Sequence, residues 1–98
     1  MIHQHFERNI MEMNKLEIQN YFKDALHQFA PEVSFESLKL NMPLRDQVEI
    51  DSLDLYNIIV NLQQKSGVYV SDSKLAELLS INDLVDYVFS QKIKKENT

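Results

Sequence analysis

The chain has 98 residues, of which 44% are hydrophobic; it carries a formal net charge of −5 and has no cysteine, one glycine and two prolines. Such a length suits one domain with a modest core, and the missing cysteine excludes disulfides and any thiolate chemistry native to the chain. So few turn residues argue against an all-β design and exclude a Gly-rich phosphate loop, while the acidic balance disfavours nucleic acid and suits partners with basic surfaces.

Residues 1 to 13, MIHQHFERNIMEM, form a weakly patterned lead-in. It is read as an N-terminal extension, either disordered or helical, with Met13 as an alternative first residue. The first firm helix is expected from Asn14 to about Phe29. Ile18, Phe22, Ala25, Leu26 and Phe29 fall on one helical face, with Asn14 as N-cap and Glu17 three residues on. Ala30-Pro31 ends that helix, because the residue before a proline disfavours the α region. Residues 31 to 50 make a long connection. Its spread of Phe35, Leu38, Leu40, Met42 and Leu44 requires an ordered loop packed on the core.

A second helix is expected from about Ser52 to Lys65, capped by Asp51 and ended by Gly67. Its apolar stripe is Leu55, Ile58, Ile59 and Leu62. Val68-Tyr69-Val70 is a short extended piece without a partner strand. A third, short helix is expected from Ser71 to Leu79 with Leu75, Leu78 and Leu79 inward. Ser80 and Asp83 then open a fourth as a capping box, with Leu84, Val85, Val88 and Phe89 facing the core. Residues 91–98 are read as a flexible polar tail. No apolar run is long enough to span a membrane and no signal peptide is visible, so the expected location is the cytoplasm.

The residues with chemistry in them are Asp51-Ser52-Leu53-Asp54, at the head of a helix after a long loop. Alone, Ser52 beside Asp51 reads as an ordinary helix-cap serine. The wider context resembles the acyl carrier protein family, whose mark is a D-S-L tripeptide at the head of the second helix. From Asp51 to Val88 the chain follows that family's pattern without a gap. Leu62, Val70-Ser71-Asp72, Leu78, Asp86-Tyr87 and Val88 fall on matching or similar positions, and the resemblance covers roughly residues 14 to 90. It implies an all-α four-helix bundle of acyl-carrier type, with the long loop between the first and second helices. It implies that Ser52 carries 4'-phosphopantetheine, moved from coenzyme A by a phosphopantetheinyl transferase with Mg²⁺. The arm's thiol would hold acyl groups as thioesters. The chain would then be a substrate of acyl-transfer, synthase or ligase enzymes rather than an enzyme, and a monomer. Partner recognition would fall on Asp51, Leu53, Asp54, Tyr56, Asn57 and Val60. The position agrees with the physics, because free N–H groups and the dipole at a helix N-terminus favour a phosphodiester.

The departures from the family pattern are informative. Well-known fatty acid carriers have a Glu-rich second helix that docks on basic patches, whereas Asn57, Asn61, Gln63, Gln64 and Lys65 stand here. Ser66 replaces an aromatic residue, and Glu49-Ile50 stands where a Gly-containing pair is usual. These differences point to a dedicated fatty acid, polyketide or special lipid pathway. The alternatives are a peptidyl or aminoacyl carrier of a nonribosomal peptide type pathway, or a non-carrier helical adaptor. The apolar stripes are core first, but such an interior can also open to shelter an acyl chain, with Leu62, Leu78 and Leu84 as candidates. His3 and His5 lack a third ligand for a metal, and His27 is read as a surface residue. Asp72, Glu77, Asp83 and Asp86 read as a solvated face. Ser52 has no G-x-S-x-G setting and no histidine follows it, which argues against a hydrolase.

Overall fold

The stripe Ile18, Phe22, Ala25 and Leu26 is buried to 1% exposure or less, and it sets the axis of the molecule. It lies on α1 (Ile2–Phe29), which packs against α2 (Ser52–Ser66) and α4 (Ile81–Glu96). The short α3 (Asp72–Glu77) packs Leu75 partly against the core. This is an all-α fold with four helices, and no strand occurs among the described residues. The structure, a computed structural model, describes the backbone of residues 2–96 and the side chains of residues 14–94. The side chains of His3 and His5, and with them any pairing of the two, lie outside the described residues.

Two helices are longer than their sequence pattern suggests. α1 runs from Ile2, so Asn14 sits within the helix and does not cap it. Neither proline nor glycine occurs in residues 2–13, so nothing in the backbone chemistry stops the helix there. α4 continues past Phe89 to Glu96, through residues read as a tail. Ile93, one turn after Phe89, packs partly against the core and extends the stripe of Leu84, Val85, Val88 and Phe89, all buried.

Apart from Asn14, the expected caps form. Asp51 accepts a hydrogen bond from the Leu53 N–H at 3.4 Å. Gly67, with φ of 77°, ends α2 in the left-handed region that glycine enters without strain. Ser80 and Asp83 make a reciprocal box: the Ser80 N–H donates to the Asp83 carboxylate at 3.3 Å, and the Asp83 N–H donates to the Ser80 hydroxyl at 3.1 Å. α3 is shorter than expected. Ser71 caps it by accepting from the Lys74 N–H at 3.1 Å, and the chain leaves the helix after Glu77. The extended backbone at Leu78 turns Leu79 outward, so Leu79 is 55% exposed rather than inward. Leu75 and Leu78 are half-buried.

The long connection is ordered, with two single 3₁₀ turns at Phe35–Ser37 and Leu44–Asp46. Leu38 is buried in it, and Phe35, Leu40, Leu44, Val48 and Ile50 pack partly on the core. Gln47 ties the loop to itself. Its amide oxygen accepts from the Lys39 N–H at 2.6 Å, and its amide nitrogen donates to the Lys39 and Met42 carbonyls at 2.8 and 3.0 Å. Two backbone bonds join the loop to the α3–α4 junction, Leu44 N–H to Leu79 C=O at 3.0 Å and Asn82 N–H to Leu40 C=O at 2.9 Å. Lys23 of α1 pairs with Glu36 at 2.9 Å. The Lys23 ammonium, first through its bond to the carboxylate, holds the Glu36 carboxyl below its ordinary range.

Candidate functional site

Asp51 shapes the head of α2. Its carboxylate caps the helix, and its carbonyl accepts from the Leu55 N–H at 2.9 Å. Ser52 is thereby the first residue of α2, and it is exposed. No hydrogen bond reaches its hydroxyl among the described residues. A serine left free at a helix head does not act as the cap, because Asp51 does that work. Its hydroxyl is available for chemistry, in a field that favours an attached anion.

Beside Ser52 lies a groove of about 360 Å³ lined by Leu44, Arg45, Val48, Glu49, Ile50 and Leu55. Leu44, Arg45 and Leu55 also line a second cavity of about 380 Å³. This cavity lies under the loop, between α2, α3 and α4, and its walls include Phe22, Ile59, Leu75, Leu78, Ile81 and Leu84. The lining is mainly apolar, with Arg45, Asp46 and Asp72 as its charged members. Leu78 and Leu84 therefore belong to the cavity as anticipated. Leu62 does not: it is fully buried in the solid core, one turn deeper along α2 than the wall residue Ile59.

The outward face of α2 carries Leu53, Tyr56, Asn57 and Val60 at i, i+3, i+4 and i+7 spacing. Leu53 and Tyr56 are 63% and 61% exposed, and Asp54, Asn57 and Val60 are half-buried. Of the amides counted with this face, one serves the fold and another is buried at its oxygen. The Gln63 side chain accepts from the Val70 N–H at 2.7 Å and pins the extended piece after Gly67. The Asn61 side-chain oxygen is buried without a hydrogen-bond partner. Ser66 is buried too, and its hydroxyl accepts from the Val68 N–H at 3.2 Å. A polar group at that position thus has a backbone donor to satisfy.

Residues 17–88 match the family model described as the phosphopantetheine attachment site. This chain belongs to the acyl carrier protein family. Similar proteins bear it out. The acyl carrier protein of Tropheryma whipplei (strain Twist) is 34% identical over 56 residues, which is 57% of this chain and 68% of that protein. The acyl carrier protein of Cyanophora paradoxa is 30% identical over 83 residues, 83% of this chain and 78% of that protein. The meromycolate extension acyl carrier protein of Mycobacterium leprae is 40% identical over 52 residues, 53% of this chain and 44% of that protein. No solved structure gives a significant match. The family's cofactor is a covalent 4'-phosphopantetheine arm, and the residues present fit it: an exposed hydroxyl without an internal partner opens onto a groove that shares Leu44, Arg45 and Leu55 with an apolar cavity. An acyl carrier protein shuttles cargo and is not itself an enzyme.

Sequence reasoning missed two contributors: Arg45, where groove and cavity meet, and Gln47, which holds the loop that roofs the cavity. Arg45 had a signal, being the single base between Lys39 and Lys65. The Gln47 bonds had none, since a glutamine in a loop carries no periodicity.

Proposed function

We propose that Ser52 is the attachment residue for 4'-phosphopantetheine, and that the chain carries acyl groups for a dedicated fatty acid, polyketide or special lipid pathway. The carrying observation is the free, exposed Ser52 hydroxyl beside a groove that shares its walls Leu44, Arg45 and Leu55 with an apolar cavity. Once attached, the arm supplies a thiol that holds cargo as a thioester. This chain's residues supply the rest. Asp51 fixes the helix head so that Ser52 projects, and the α2 N-terminus stabilises the phosphodiester charge. Leu55, Ile59, Leu75, Leu78 and Leu84 offer apolar surface against which an acyl chain is shielded from water. That lining favours an acyl cargo over an aminoacyl or peptidyl one, whose ammonium or amides would lose hydrogen bonds there.

The proposed partners are a phosphopantetheinyl transferase and the acyl-transfer, synthase or ligase enzymes of the pathway, met in the cytoplasm by a monomeric carrier. Leu53, Tyr56, Asn57 and Val60 support docking through apolar burial and amide contacts, with Asp51 and Asp54 as the acidic groups at the helix head. Because Gln63 is bonded to the Val70 N–H and the Asn61 oxygen is buried, the amides of this helix left for docking reduce to Asn57 and Gln64. No described helix is long and apolar enough to cross a membrane.

The test is modification by coenzyme A and a broad-range transferase, read by intact mass and peptide mapping. Wild type gains one phosphopantetheine on Ser52, and Ser52→Ala gains none. Equal labelling of Ser52→Ala sinks the assignment.

A further inference from the structure

Arg45 stands in the 3₁₀ turn Leu44–Asp46, is exposed, and forms no ion pair or hydrogen bond through its guanidinium among the described residues. It lines both the groove that holds Ser52 and the apolar cavity beyond it. Every other charged residue lining these two spaces is acidic: Glu49 in the groove, Asp46 and Asp72 in the cavity. Asp51 and Asp54 flank Ser52 on α2. A phosphodiester at Ser52 adds one more negative charge to this surrounding. Repulsion from the carboxylates then favours an arm that points into solvent. Among the described residues, the only positive group where the groove meets the cavity is Arg45, whose planar fork matches two phosphate oxygens.

We infer that Arg45 is a positioning residue: its guanidinium pairs with the phosphodiester on Ser52 and so directs the arm across Leu44 and Leu55 into the apolar cavity. This rests on attachment at Ser52. The pair is exposed, so its effect is moderate and depends on salt. It shifts the balance between sheltered and solvent-exposed cargo by about threefold to fivefold.

The experiment loads the full chain with octanoyl-phosphopantetheine, using octanoyl-coenzyme A and a broad-range transferase, and purifies fully loaded protein by intact mass. Wild type, Arg45→Lys, Arg45→Gln and Arg45→Glu are compared by the rate at which hydroxylamine cleaves the thioester. The Arg45 side-chain N–H resonance is followed on loading as a second readout. Arg45→Gln is expected to be cleaved about threefold faster than wild type and Arg45→Glu faster still, with Arg45→Lys near wild type. Raising salt to about 0.5 M brings wild type toward Arg45→Gln, and the Arg45 resonance shifts on loading. Equal cleavage of all four loaded proteins at low salt, with an unmoved resonance, overturns the role of Arg45 and leaves the attachment reading standing. A wild type that gains no mass, or gains it away from Ser52, removes the attachment reading and this inference with it.

Discussion

Truncating Leu62 to alanine separates core from cavity wall along a single helix. Leu62 is fully buried on α2 within the cluster that includes Phe22 and Val88, and it lines neither the groove at Ser52 nor the apolar cavity. Removing a fully buried leucine side chain loses its transfer free energy and leaves a void, together about 2–5 kcal/mol. A domain of this size holds on the order of 5–15 kcal/mol in total. At about 4–8 °C per kcal/mol for a domain near 100 residues, a loss of ~3 kcal/mol lowers Tm by roughly 12–24 °C. Ile59 is the comparison. It is 5% exposed and faces the cavity, so part of its surroundings is already empty and fewer packed neighbours lose contact. Ile59→Ala is therefore expected at the low end of the range, ~2 kcal/mol. The assay is a thermal and urea melt of both variants by circular dichroism at 222 nm. A Leu62→Ala melt within a few degrees of wild type, or an Ile59→Ala loss larger than the Leu62→Ala loss, refutes the assignment of solid core and cavity.

Gln47→Ala removes three hydrogen bonds from the loop and should cost about 1–3 kcal/mol, with faster amide exchange at Lys39 and Leu44 as the direct sign. Ser80→Ala breaks half of the capping box and should cost about 1 kcal/mol in a urea melt. Tyr56→Ala should leave stability within about 0.5 kcal/mol, yet slow acylation by the pathway partner; unchanged kinetics would remove Tyr56 from the docking face. Asn57→Glu should improve use of the loaded chain by a generic fatty acid transferase and make it more sensitive to salt; a wild type already as fast and as salt-dependent as a housekeeping carrier ends the dedicated-pathway reading. Glu36 titrates below the ordinary carboxylate value of 4.5 in the folded chain, so its pair with Lys23 stabilises above about pH 4.5. That contribution fades as pH falls through the lower folded value, and Glu36→Gln should flatten this acid limb in melts taken from pH 5 downward.

The helix stripes, the caps at Asp51, Gly67 and Ser80, and the position of Ser52 were all legible in the sequence. Each depends on contacts within about one helical turn, where spacing and cap chemistry act locally. The ends of α1 and α4 were less legible. A helix stops where a backbone group or a breaker stops it, and neither residues 2–13 nor residues 90–96 contain Pro or Gly. The role of Ile93 in extending α4 depends on the neighbour it meets. The division of α2's polar residues was invisible for the same reason. Gln63 reads as a docking amide until the chain after Gly67 folds back and gives it the Val70 N–H. Leu79 reads as core until the extended backbone at Leu78 turns it out and leaves its carbonyl to Leu44. Leu78 and Leu84 were legible as candidate walls, but the cavity itself, and its meeting with the groove at Ser52, belong to the tertiary structure. It exists because a loop from residues 31–50 is pinned by backbone hydrogen bonds over the gap between α2, α3 and α4. The residues that meet there, Arg45, Leu55, Leu75 and Leu84, are far apart in the chain, and no local pattern joins them.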